Sequence, residues 1–265
     1  MIIFGSKMYG VRNVVRGFDE CEHCECYAQH KSYSGRKWGH VYFIPLFPMG
    51  GRVRVLRECS NCDTGAHIPE DELPDMIDAI RNALEACIST LDLHTHECNH
   101  PEIDEPVPIG PYIRETVGTL YLLESESLID EARQAFDGKA AAYESNITQA
   151  ALAEVKGDDD QALEHYSDAR QIAAEFPTFV MAGICQRNEH HEKALSLYNQ
   201  LLPTVDEPLQ VLLAMTESLE SLKSHDELCD VLEKCIALEP GLAENKKFMK
   251  YCKKVAKKAQ QPRVF

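Results

Sequence analysis

The sequence has no apolar run approaching the roughly 18 residues that a membrane-spanning helix needs. Its longest greasy stretch, Val41 to Met49, is far shorter and is interrupted by Pro45 and Pro48. The opening MIIFGSKMYG lacks the basic start and long apolar middle of an export signal. The expectation is a cytoplasmic protein with no membrane partner. Catalytic fingerprints are missing as well. There is no phosphate loop, no dinucleotide-binding glycine pattern and no Ser-His-Asp grouping, and Gly50-Gly51 is the one glycine pair that stands out. The chain is therefore expected not to be an enzyme.

Basic charge is also short. Lys and Arg number 27 against 43 Asp and Glu, a net charge of -16. The deficit is uneven: residues 1–70 hold nine basic and seven acidic side chains, so the acidic excess falls on residues 71–265. A strongly acidic C-terminal region repels phosphate backbones, which argues against general nucleic-acid binding.

Cysteine is plentiful, with eleven residues. The odd count and the missing export signal weigh against a disulfide framework. Four of the eleven form two CxxC pairs, Cys21/Cys24 and Cys59/Cys62. Two intervening residues let a tight turn aim both sulfurs at one ion, and two such turns complete the tetrahedron of soft donors that Zn²⁺ prefers. Four ligands leave no open position, so one structural Zn²⁺ is expected. Residues 1–70 alone bury little apolar surface, and metal binding supplies what their core lacks. His23 and Cys26 flank the first pair as rival donors, and two CxxC pairs can also be read as redox dithiols.

The region around these pairs reads as strands: the first fifteen residues with a candidate bend at Gly10, then Trp38–Phe47, then Arg52–Arg57, with a turn at Gly50-Gly51. The run WGHVYFIPLFPMG (Trp38 to Gly50) between the pairs, together with the opening MIIFGSKMYG, resembles a small bacterial and fungal zinc-ribbon family with an IPLFP core segment. The resemblance covers about 70 residues and implies metal ligation by Cys21, Cys24, Cys59 and Cys62, without a defined activity. Glu25 and Asp63 stand directly after the pairs, in place of glycine. Phe43, Ile44, Leu46 and Phe47 are assigned to the small core of this module, in preference to a membrane-dipping loop.

Residues 71–111 form a connector. Leu73, Met76, Ile77, Ile80, Leu84, Cys87 and Ile88 recur at helical spacing, with Pro74 in the first turn. Pro101 to Pro111 carries four prolines and is expected to be a non-helical boundary. Just before it, His94, His96, Cys98 and His100 alternate as on one side of an extended segment, where a second metal is conceivable but a polar linker is the simpler reading.

Residues 112–265 read as helix after helix. Ala162, Tyr166 and Ala169 are echoed 32 residues later by Ala194, Tyr198 and Leu201, and after 34 more by Leu228, Leu232 and Cys235. Small residues Ala150, Ala182 and Thr216 precede each set by twelve. The array resembles degenerate tetratricopeptide repeats, although Asn146, Thr178 and Leu212 stand where that family has early aromatics. The terminal segment places seven lysines between Lys246 and Lys258 around an apolar stripe of Phe248, Met249, Cys252 and Val255. It reads as a capping helix with a solvated basic face. A basic patch for nucleic acid or a membrane surface is the alternative.

The fold class expected is thus a small β zinc ribbon followed by an all-α helical repeat domain. The function expected is a zinc-binding adaptor that takes a protein or peptide partner on its helices; the oligomeric state stays open. Two alternatives are a nucleic-acid-associated ribbon, motivated by Arg52, Arg54 and Arg57, and a thiol redox sensor.

Overall fold

The computed structural model describes residues 4–24, 26–41 and 44–259; side chains at 4–7, 18–20, 26–27, 40–41 and 44–47 lie outside the description. An antiparallel sheet comes first, with β1 (Phe4–Cys21), β2 (Cys26–Val41), β3 (Ile44–Cys59) and β4 (Ala66–Ile68) in sequence order. Its strands are long, and β-bulges bend them. The β1–β2 register shifts between Tyr9 and Arg12, where Gly10 takes φ +60°, so the candidate bend at Gly10 is a bulge within a continuous strand.

Gly50-Gly51 does not turn the chain. It lies inside β3; β2 ends at Val41 and β3 begins at Ile44, which divides the segment expected as one strand over Trp38–Phe47. Between the pairs Arg36↔Arg52 and Trp38↔Pro48 the third strand carries two extra residues, absorbed where Gly50 adopts φ +86°. A turn and a bulge draw on the same positive-φ glycine; strand pairing decides between them. The side chains of Phe43, Ile44, Leu46 and Phe47, expected in the ribbon core, fall outside the description.

Beyond a short 3₁₀ turn at Glu70–Glu72, α1 (Leu73–Thr90) begins with proline in its first turn. Met76, Ile77 and Ile80 pack with Leu56, Ile68, Leu73 and Leu123. The proline-rich segment contains a short strand, β6 (Pro106–Pro108), paired with β5 (Glu97–Asn99). The expectation of a wholly non-helical stretch fails at its end: α2 (Ile109–Leu122) includes Pro111. Proline in a first turn forfeits no helical hydrogen bond, so it is tolerated there.

Eight further helices follow: α3 (Glu126–Gly138), α4 (Ala142–Lys156), α5 (Asp159–Arg170), α6 (Glu175–Arg187), α7 (His191–Leu201), α8 (Leu209–Ser221), α9 (His225–Leu238) and α10 (Lys246–Ala256). None among the described residues is long and apolar enough to cross a membrane. The chain divides into two compact units, Met1–Ala162 and Leu163–Phe265. In the first, the sheet is docked on helices: Asn13 Nδ2 donates to the Tyr121 carbonyl at 3.0 Å, and a Cβ added to Gly118 would come within 3.2 Å of Val15 Cγ1.

The helical spacing read from the sequence marks the interior. Ala162, Tyr166, Ala169, Ala194, Tyr198, Leu201, Leu228, Leu232 and Cys235 are all buried, as are Ala150 and Ala182. Thr216 is half-buried, and its hydroxyl donates to the Leu213 carbonyl at 2.7 Å. In the second unit a buried polar link ties helices together: Tyr198 donates to Gln186 Oε1 at 3.0 Å, and Gln186 Nε2 donates to the Ala214 carbonyl at 3.2 Å. The seven terminal lysines are exposed, opposite buried Cys252 and Val255.

Five helices end the same way, on a residue in the left-handed region: Glu124, Ala140, Gly157, Glu189 and Lys223. At the end of α8, Ser224 N–H reaches the Leu219 carbonyl and Lys223 N–H the Glu220 carbonyl, both at 3.0 Å. His190 and Glu189 repeat that double closure on Cys185 and Gln186 at the end of α6. These are Schellman stops, which favour glycine, yet only one of the five is glycine. A left-handed non-glycine residue costs about 1–2 kcal/mol, partly offset by the greater chain entropy that glycine loses on folding. Lys223→Gly is therefore expected to stabilise the protein by about 0.5–1 kcal/mol in urea denaturation followed by circular dichroism, with Lys223→Ala near neutral. Destabilisation by Lys223→Gly contradicts this account of the helix stops.

Candidate metal centre

Two turns at one end of the sheet bring the CxxC pairs together. Cys21 ends β1 and Cys24 lies in the turn before β2, while Cys59 ends β3 and Cys62 follows in the next turn. The pairing of His30 with Cys59 carries the second turn alongside the first. Sulfur–sulfur distances are 3.8 Å for Cys21–Cys62 and for Cys24–Cys59, and all four sulfurs lie within 4.8 Å of one another. A disulfide needs sulfurs about 2.05 Å apart. A tetrahedron with metal–sulfur bonds of about 2.3 Å sets its sulfurs about 3.8 Å apart. The geometry fits one ion held between four thiolates, and it is the group of metal-donor side chains that stands out among the described residues.

The second turn is shaped for this task. Asp63 adopts φ +53°, the conformation for which glycine would have been the simplest residue, and its N–H closes on the Cys59 carbonyl at 2.9 Å. Gly65 is required for a different reason. A Cβ there would lie 2.9 Å from both the Leu56 carbonyl oxygen and Glu58 Cα, so strand β3 leaves no room for a side chain. Cys21 and Cys59 are buried, and Cys24 and Cys62 are half-buried. His23 is exposed and outside the sulfur cluster. Cys26, the other flanking donor, has its side chain outside the described residues.

Asn61 is the residue that the sequence reading missed. Its backbone N–H donates to Cys59 Sγ at 3.4 Å and its side-chain Nδ2 to Cys24 Sγ at 3.3 Å, so one residue supports a ligand of each pair. The position inside the second CxxC was the available signal, but spacing alone does not say which side chain turns back onto sulfur. Before metal binds, the Asn61 amide holds the Cys24 thiol down at about 6, whereas burial pushes Cys59 up to about 11. Hydrogen bonds from Thr64 lower Cys62.

The donors read as an alternating set do not gather. His96 takes φ +56°, which breaks the extended segment. Its Nδ1 lies 2.8 Å from Oε1 of the fully buried Glu144, beside the Tyr143 ring. Cys98 is buried near Cys87 of α1, where burial pushes both thiols up. His100 meets the edge of Tyr112, and His94 is exposed. The arginine stripe separates too: Arg54 is buried, and Arg57 sits at φ +50° and is exposed.

Metal uptake must expel the protons still on the thiols, and burial of Cys59, which raises it to about 11, keeps that thiol protonated near neutrality. Apparent metal affinity therefore rises with pH, and competition against a chelator is expected to show tighter retention at pH 8 than at pH 6. Asn61→Ala removes a hydrogen bond to ligand sulfur and is expected to weaken retention about tenfold or more at pH 7. Equal retention by the variant and the parent overturns the assigned role of Asn61. Comparison with models of known protein families, and with curated proteins, returns no match, so the reading of the site rests on its own geometry.

Proposed function

We propose that the chain is a non-enzymatic zinc-binding adaptor. Cys21, Cys24, Cys59 and Cys62 hold one Zn²⁺, and the helices of residues 112–265 take a protein or peptide partner. The observation that carries the metal reading is the mutual approach of four sulfurs at the spacing of a tetrahedral site. Soft thiolate donors in a four-coordinate arrangement favour Zn²⁺ among abundant divalent ions. All four positions are filled by protein, so the ion acts on folding and leaves no place for substrate. The resemblance of residues 1–70 to the IPLFP zinc-ribbon family agrees with this reading.

The adaptor reading is supported by the helical pattern. Helix pairs with short connections, small buried residues at Ala150 and Ala182, and a period near 34 suit tetratricopeptide-like repeats. Such arrays stack one supersecondary unit on the next and offer an extended face to a ligand chain.

Elemental analysis of purified protein is expected to find one zinc per chain. Cys59→Ser is expected to lose it, together with the ordered sheet signal in circular dichroism, because metal contributes roughly 10–16 kcal/mol in small zinc modules. A metal-free protein with an intact sheet defeats the metal reading. For the adaptor, cross-linking of the intact chain in cells followed by mass spectrometry is expected to place partner cross-links on residues 112–265. Cross-links confined to residues 1–70 defeat it.

A further inference from the structure

A second constellation stands on the sheet about ten residues along β2 from its cysteine end. Tyr9 of β1, Arg36 of β2 and Arg52 of β3 are directly paired across three strands. Directly opposite residues share a face of the sheet. Trp38, two residues along β2 from Arg36, completes the group with Gly10, and the five residues line a cavity of about 420 Å³. That volume lies in the range of roughly 300–1,000 Å³ typical of small-molecule pockets.

The charges in this cavity are unbalanced. Like charges directly opposite on neighbouring strands are destabilising, yet Arg36 and Arg52 face each other with no carboxylate ion-paired to either among the described residues. Arg52 instead donates to Ser34 Oγ at 3.1 Å. Ser34 is paired with Arg54, which is 5% exposed and whose Nε and Nη1 have no hydrogen-bond partner. Three guanidinium groups thus occupy adjoining positions on one sheet face, none of them ion-paired to a carboxylate among the described residues. Arg36 is exposed and Arg52 half-buried, and an anion placed between them relieves their mutual repulsion. Arginine is suited to this, because its planar fork meets phosphate oxygens in pairs. Trp38 and Tyr9 add aromatic side chains to the lining beside the two arginines, and aromatic rings are platforms for a planar base.

We propose that this pocket binds a free mononucleotide, with phosphate between Arg36 and Arg52 and the base against Trp38 and Tyr9. A cavity this small accepts one nucleotide, and the net charge of -16 disfavours a polynucleotide. The inference does not rest on the metal or the adaptor reading.

Trp38 is the sole tryptophan of the chain, so its fluorescence reports on the pocket directly. Full-length protein at low ionic strength, titrated with adenosine 5′-monophosphate, is expected to show a saturable change in Trp38 emission. Adenosine without phosphate should bind about tenfold more weakly or worse, the cost of losing hydrogen bonds to a charged group. Arg36→Ala and Arg52→Ala should each lose about tenfold in affinity, with far-ultraviolet circular dichroism and metal content unchanged. Arg36 is exposed, so its replacement tests the proposal even where the Arg52 variant fails to fold; Arg36→Lys should retain some of the binding. No saturable response at millimolar nucleotide overturns the proposal. So do equal affinities for the nucleotide and the nucleoside, unchanged binding by Arg36→Ala, or binding of a single-stranded oligonucleotide but not of the mononucleotide.

Discussion

The convergence of four cysteine sulfurs at one end of a long antiparallel ladder is the constraint on which the N-terminal fold depends. Strands of 16 to 18 residues are each interrupted by register shifts, so their alignment is not fixed by one continuous ladder. Thiols at 3.8 Å are too far apart for a disulfide and stand at the spacing of a tetrahedral thiolate site. Asn61, Asp63 and Gly65 are then explicable as components of one device. The first donates to sulfur, the second supplies the left-handed turn, and the third lets the chain pass close to β3.

A sheet of this kind also carries its chemistry in rows across strands. Tyr9, Arg36 and Arg52 are far apart in sequence and adjacent in register, and so are Ser34, Arg54 and Ile68. The bulges at Gly10 and within β3 keep these rows in line despite unequal strand lengths. Where this face is covered, Arg54 becomes buried; where it lies open, Arg36 and Arg52 flank an aromatic pocket. The same residue type therefore has different consequences a few residues apart, set by what lies above the sheet.

Much of the helical region was legible, because apolar spacing at three and four residues is a local signal with a local cause. The nine repeat positions from Ala162 to Cys235 are buried for the reason that their spacing gives: they fall on one stripe of each helix. The CxxC pairs were legible on similar grounds, since two residues between cysteines suffice to aim both at a common point. Errors arose where one local feature serves two structures. Gly50-Gly51 suits a turn or a bulge, Pro111 ends a loop or opens a helix, and alternation over residues 94–100 holds only if every residue stays extended, which His96 does not. Most of the helix stops went unmarked because Glu124, Ala140, Glu189 and Lys223 occupy a conformation that their side chains do not favour.

By itself, the sequence determined the helical stripes, the four-cysteine set and the acidic balance of the chain, because each follows from spacing or composition within reach of a few bonds. Tertiary structure alone decided which sulfur faces which, where the long strands bulge, that Asn61 turns onto two of the sulfurs, and that Arg36 meets Arg52. Those outcomes depend on register between strands, and register is settled by packing and pairing over the whole sheet, beyond the reach of any local pattern.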